Sequence, residues 1–213
     1  MTRIPFFSIE HSESAYRADF VLYGAASLAL AAGLLIEAPA DRALGLAAGA
    51  AGGLVAWSAI EYLLHRFVLH GLQPFARWHA EHHSRPTALI CSPTLLSASL
   101  ITVLVFLPAL ALGGLWPACA LTFGVLTGYL AYAITHHATH HWRSDSAWLL
   151  RRKRWHALHH STRRRPGHYG VTSGFWDHVF RSAGGRASGP DELTSSSSAA
   201  PILPASSAAR VQR

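Results

Sequence analysis

Residues 116–141 read WPACALTFGVLTGYLAYAITHHATHH. From Trp116 to Ile134 there is no charged side chain, and the stretch then runs into His136, His137, His140 and His141. An apolar run of about 19 residues can cross a hydrocarbon core of about 30 Å as a helix. A helix of a soluble bundle would carry a polar face, and this stretch has almost none. The fold turns on whether the pairing of an apolar run with histidines recurs.

Working outward, a run from Pro93 to Leu112 lies just upstream, separated only by Gly113-Gly114-Leu115. Further back are Leu44–Leu64, with Glu61 near its end, and Phe20–Ile36; Pro39, Asp41 and Arg42 lie between them. Each run is about 17 to 21 residues, enough for one crossing. Glycine and alanine are dense in the first two, Ala47–Gly53 above all, which suits close helix contact in lipid. Half of the 213 residues are apolar and only 14% are charged, where about a quarter is usual for soluble domains. Two cysteines, Cys91 and Cys119, exclude a disulfide framework and a Cys-rich zinc module.

The net charge of +7 is compatible with nucleic-acid binding or with basic cytoplasmic loops, and its distribution decides. Of the 18 Lys and Arg residues, only Arg42 lies between the first two runs, and none lies between the last two. With four crossings the remainder fall on one side, which the positive-inside rule makes cytoplasmic. The expected fold is all-α: an integral, multi-pass membrane protein with four transmembrane helices in two hairpins and a cytoplasmic, helical, histidine-rich metal-binding cap. Both termini and all the histidine clusters are expected in the cytoplasm. The expected organisation is an N-terminal segment over 1–19, a membrane domain over 20–182 with spans near 20–36, 44–64, 93–112 and 116–134, and a Ser/Ala/Pro-rich disordered tail over 183–213. The N-terminal segment lacks the pattern of a signal peptide.

Fourteen of the 15 histidines lie between His65 and His178. Four groups stand out: His65-Arg-Phe-Val-Leu-His70, His79-Ala-Glu-His82-His83, His136-His137-Ala-Thr-His140-His141 and His156-Ala-Leu-His159-His160. Residues three and four apart share a helix face, so His79, His82 and His83 point one way, as do His156, His159 and His160. His65 and His70 diverge by about 140° on an ideal helix; they reach two metals, or one metal if the helix ends between them. Imidazole suits Zn, Cu, Fe and Ni, and this many imidazoles exceed the needs of one ion. A solvated basic face would not need HxxHH twice. His11, His168 and His178 stand apart and read as interfacial residues.

The order HxxxxH, HxxHH, HxxxHH, HxxHH around paired apolar spans resembles the fatty acid hydroxylase and sterol desaturase superfamily of integral-membrane di-iron enzymes. The resemblance covers about Glu61 to Phe180. Gly170-Val-Thr-Ser-Gly-Phe-Trp-Asp177-His-Val-Phe180 is similar to the segment that closes the domain in fatty acid 2-hydroxylases, and His65–His70 is similar to their first box. The resemblance implies ten metal ligands: His65, His70, His79, His82, His83, His136, His140, His156, His159 and His160. His137 and His141 leave the third box open to a second register, since His137-x-x-His140-His141 also fits HxxHH. It further implies two iron ions, with zinc a possible substitute, dioxygen as co-substrate, a lipid substrate from the bilayer, and an external electron donor such as a ferredoxin or a cytochrome with its reductase. No fused cytochrome b5-like domain is expected in the roughly twenty residues before the first run.

Glu61, four residues before His65, is a candidate to hydrogen-bond a ligand imidazole from behind, or else an interfacial acid. Asp177 is a candidate to orient a ligand or, more simply, to cap a turn. Trp142, Trp148, Trp155 and Trp176 read as an interfacial aromatic set. Arg151–Arg154 and Arg163–Arg165 come with no base-stacking module or recognition helix, so anionic lipid headgroups are the expected partner and nucleic acid is not. The expected activity is oxygen-dependent hydroxylation of a C–H bond in a fatty acyl chain or related lipid. The alternatives are a carotenoid-ring hydroxylase or sterol-modifying oxidase of the same superfamily, or a membrane metal-binding or transport protein.

Overall fold

A computed structural model describes residues 9–161 and 167–183. The expected tail over 183–213 from residue 184 on, the first eight residues and Arg163–Arg165 lie outside the described residues. The order is α1 (Glu13–Ile36), α2 (Ala43–Leu63), α3 (Phe75–Ser84), α4 (Thr94–Ile101), α5 (Leu107–Gly113), α6 (Leu115–His141), α7 (Ala147–His159) and α8 (Phe175–Val179). Among the described residues the only β pairing is an isolated antiparallel bridge between Glu10 and Ile90.

Four helices are long and apolar enough to cross a membrane: Glu13–Ile36, Ala40–Leu69, Thr94–Gly113 and Leu115–His141. Their outward faces carry Leu28, Leu35, Leu44 and Leu112 at 73%, 85%, 86% and 90% exposure. In water such a belt would be a large uncovered apolar patch; against lipid it has no cost.

The second span, Ala40–Leu69, overruns the expected 44–64 at both ends, and the first and last also start or stop away from the sequence expectation, for local reasons. α1 begins seven residues before Phe20 because Ser12 caps it: the Ser12 side chain accepts from the Ala15 amide at 3.2 Å, and Glu13 in the first turn complements the helix dipole. This brings Asp19, buried at 8% exposure, into the helix. α6 runs on past Ile134 to His141. Its 27 residues span about 40 Å at 1.5 Å per residue, so its last turns extend beyond a hydrocarbon layer of about 30 Å.

Two π-helical turns interrupt the regular geometry. One, Thr102–Phe106, precedes Pro108, whose missing N–H and ring do not fit a regular α-helical turn. It joins α4 to α5 within one continuous helix. The other, Leu64–Leu69, extends α2 into the first histidine group. Gly114, at φ +81°, takes the backbone conformation that links α5 to α6 and that a Cβ disfavours.

α6 is the central helix. α2 packs along it most extensively, and α1 and α5 also pack on it rather than on one another. Small residues permit the α2–α6 approach: a Cβ on Gly124 would collide with the Ala50 carbonyl oxygen, and one on Gly53 with the Leu121 carbonyl oxygen. Because lipid gives no hydrophobic drive between spans, such close van der Waals contact is what holds them. Trp57, at 7% exposure, fills the next layer, packed over Gly128 and edge-on to Tyr129 at 5.3 Å.

Candidate metal centre

Four elements carry the histidines into one place: the π turn after α2, α3, the end of α6, and α7. They form two clusters. His65, His70, His79, His83 and His159 each offer a ring nitrogen within 4.8 Å of the others. His82, His136, His140 and His156 do the same. His65 and His70 thus meet in one cluster, despite their divergence on an ideal helix. The i→i+5 register of the π turn brings residues five apart toward one face.

The contacts are nitrogen to nitrogen. Nε2 of His79 lies 3.0 Å from Nε2 of both His65 and His83. Nε2 of His159 lies 3.0 Å from that of His83 and 3.1 Å from that of His70. In the second cluster the His82–His136 distance is 3.1 Å and the His140–His156 distance is 2.7 Å. His160 Nε2 is 3.0 Å from His156 Nε2, and its ring stacks on His83 at 4.1 Å, so it stands where the clusters meet.

A hydrogen-bond network does not account for this arrangement. His65 donates from Nδ1 to the Tyr169 carbonyl at 2.5 Å, and His159 donates from Nδ1 to the Gly167 carbonyl at 2.7 Å. A neutral imidazole carries one N–H, so both present a lone pair at Nε2. The single N–H that His83 could offer cannot point at His79 and His159 together. A cation fits. Two nitrogens each about 2.1 Å from one ion stand about 3.0 Å apart when the bonds meet at a right angle.

Burial holds the imidazoles in the neutral form that metals need. It pushes His70 down to about 4, His82 to about 3 and His160 to about 2. His79, His83, His156 and His159 are lowered for the same reason. Repulsion from neighbouring imidazoles adds to it in every one of these except His83.

His137 and His141 are placed elsewhere. They stack on each other at 4.5 Å, and the Tyr16 hydroxyl hydrogen-bonds His137 Nδ1 at 3.2 Å. Neither belongs to a cluster of converging nitrogens. His168 and His178 pack on Trp155, at 5.1 and 5.5 Å between ring centres, so Trp155 is an internal packing residue, while Trp142 and Trp148 are exposed.

The two carboxylates work through the closing segment. Glu61 reaches no imidazole: it accepts from the amides of Val171 at 2.7 Å and Thr172 at 2.9 Å, and from the Thr172 hydroxyl. Asp177, fully buried, accepts from the amides of Tyr169 and Gly170 at 2.9 and 2.8 Å and from Ser182 Oγ at 2.7 Å. Between them they fix the strap whose Tyr169 carbonyl orients His65. Sequence reasoning missed the Tyr169 and Gly167 carbonyls, because a backbone oxygen leaves no signature in residue type.

Two cavities adjoin the clusters. One, of about 160 Å³, is lined by Trp57, Leu64, His65, Val68, Leu96 and Leu100 among others. The other, of about 100 Å³, is more polar and is bounded by Asp19, Trp78, His79, His82, Ser92 and His136 among others. Leu69, Phe75, Ser92, Tyr129 and Tyr132 belong to both walls.

The model of the fatty acid hydroxylase family matches residues 50–182. A dihydroceramide fatty acyl 2-hydroxylase of Arabidopsis thaliana (FAH2) is 34% identical over 139 residues, covering 60% of this chain and 57% of that protein. The ceramide very long chain fatty acid hydroxylase scs7 of Schizosaccharomyces pombe is 32% identical over 62% of this chain and 41% of its own length. The fatty acid 2-hydroxylase of Homo sapiens is 28% identical over 60% of this chain and 37% of its own. This chain therefore matches little more than half the length of these relatives, or less. The solved hydroxylase domain of full-length scs7p superposes with a TM-score of 0.68 at 27% identity, over 80% of this chain and 67% of that one. With the family match spanning most of the chain and every histidine of the two clusters, this protein belongs to the fatty acid hydroxylase family.

Proposed function

We propose that this chain is an oxygen-dependent lipid hydroxylase acting on a C–H bond of an acyl chain close to its polar end. The observation that carries the reading is the meeting of an apolar and a polar cavity beside two convergent histidine clusters. The names of the relatives, fatty acid 2-hydroxylases and ceramide hydroxylases, support it.

The ligands in this reading are His65, His70, His79, His83 and His159 for one ion, and His82, His136, His140, His156 and His160 for the other. Bound iron would supply the activation of dioxygen and the breaking of an unactivated C–H bond, which no protein side chain performs. The protein's own part is placement. The apolar cavity holds about as much as the 150 Å³ cavities known to take a benzene-sized guest, so a few methylene groups sit inside and the remaining chain extends into the bilayer. Tyr129 and Tyr132, shared by both walls, fix where the acyl chain passes the histidines. Tyr169 and Gly167 hold His65 and His159 by their Nδ1 hydrogens, keeping each Nε2 free for metal.

Four crossings put the α2–α4 connection and everything after α6 on one side. The clusters draw ligands from both segments, which supports an even number of crossings between them. The basic residues there, with Arg143, Arg151 and Arg154 exposed, make that side cytoplasmic and meet anionic headgroups. The electrons come from an external ferredoxin or cytochrome with its reductase. The domain runs over 20–182.

The experiment is expression in a host that lacks lipid hydroxylase activity, followed by mass analysis of total lipids. An acyl-containing lipid heavier by one oxygen, absent with His82→Ala, is expected. No such product, with metal-loaded protein present in the membrane, would overturn the reading.

A further inference from the structure

We infer that His137 and His141, joined by Glu13, form a third metal site, separate from the two clusters and exchangeable, for a divalent transition ion. The site stands whether or not the chain hydroxylates a lipid. His137 and His141 are four apart on α6 and share a face, rotated by about 100° from the one that carries His136 and His140. Their ring centres stand 4.5 Å apart. The i,i+4 pairs within the clusters are spaced alike: His79–His83 at 4.6 Å, His136–His140 at 4.9 Å and His156–His160 at 4.5 Å. Those pairs cross at 63° to 83°, whereas His137 and His141 lie stacked at 20°. The exposed His141 ring closes that difference by turning about χ2, a torsion with broad wells.

His137 is already braced as a ligand would be. Its Nδ1 lies 3.2 Å from the Tyr16 hydroxyl, and a metal-binding histidine gives its second ring hydrogen to such an oxygen, which leaves Nε2 for the ion. Both imidazoles line an open cavity of about 600 Å³, and Glu13 of α1 lines it too. Glu13 is held there by Arg17 at 2.6 Å, with the two side chains 70% and 76% exposed. An exposed i,i+4 ion pair is weak, so Glu13 is free to leave Arg17 for a cation. Two imidazoles, a carboxylate and water are donors that zinc, nickel and copper accept. With fewer protein ligands than either cluster, and open to water, this site gives up its ion on desalting while the clusters keep theirs.

The test is equilibrium dialysis of radioactive nickel(II) against the purified full chain in detergent, loaded with iron and then desalted. Nickel is the probe because nitrogen and oxygen ligands hold it more tightly than iron(II). Wild type should bind one nickel per chain with its iron content unchanged. His137→Ala, His141→Ala and Glu13→Gln should each weaken nickel by at least about 10-fold, the smallest loss usual even for a residue that only orients a ligand. Their iron content should stay at the wild-type level, which shows the fold intact. No nickel on wild type, or nickel gained only as iron is lost, would overturn the inference even if no variant folds. So would unchanged nickel affinity in any of the three variants. Nickel bound as expected by a chain that holds at most one iron would instead contradict the two-ion centre alone.

Discussion

The Tyr169 carbonyl accepts the Nδ1 hydrogen of His65 at 2.5 Å, across 104 residues of chain. The geometry of the first cluster therefore depends on a strap that contributes no histidine to it. Asp177 holds that strap by the Tyr169 and Gly170 amides. Asp177→Ala should free the Tyr169 carbonyl and lower metal affinity by about 10- to 100-fold, the usual effect of losing a group that orients a ligand. Metal content after a graded chelator challenge checks this; wild-type retention would contradict it.

The third histidine group contains two registers, and only one faces the clusters. His136→Ala and His140→Ala should each reduce bound metal and abolish turnover. His137→Ala should keep both, losing the hydrogen bond with Tyr16 and the stacking on His141. Metal content and product formation measured together separate the registers. Loss at His137 with retention at His136 would mean that the wrong face had been assigned.

Close approach of α2 and α6 depends on Gly124. Gly124→Ala sets a methyl against the Ala50 carbonyl and should destabilise the protein by about 1–3 kcal/mol, the cost of overpacking a tight contact. Gly24→Ala, where nothing lies within 4 Å, should be close to neutral. Thermal unfolding in detergent compares them, and an equal effect of both would contradict the packing account.

Stability of the metal-free protein should depend on pH with a definite sign. Burial lowers His70 to about 4 and His82 to about 3 from 6.5, so below pH 6.5 the unfolded chain binds more protons than the folded one. Stability should then fall as pH drops from 6.5 toward 4. Unfolding temperatures of chelated protein at pH 7, 6, 5 and 4 check it. A midpoint that stays level or rises on acidification would contradict the burial of neutral imidazoles.

The apolar runs and the HxxHH spacing were legible because both are periodic signals of a regular helix, and they gave the four long helices and the shared faces of His79, His82 and His83 and of His156, His159 and His160. What was not legible came from departures from regularity. The π turn over Leu64–Leu69 brings His65 and His70 together against the ideal helical angle. The carbonyls of Tyr169 and Gly167 have no residue-type signature. Glu61 sits one helical turn before His65, which suggested contact with it, yet its oxygens turn to the amides of Val171 and Thr172, over a hundred residues away. Asp19 escaped attention because it precedes the apolar run that sequence takes as the span, while Ser12 starts the helix earlier. The packing of both α1 and α2 on α6 was not legible either, because the close approach of α2 rests on glycines of two helices far apart in sequence, Gly53 and Gly124.

The central claim is a two-ion centre built from imidazoles of all four groups. Elemental analysis of purified protein reconstituted with iron tests it most directly. Two ions per chain are predicted, falling in His82→Ala and in His159→Ala but not in His11→Ala. A stoichiometry that stays at or below one ion per chain after reconstitution would contradict the account.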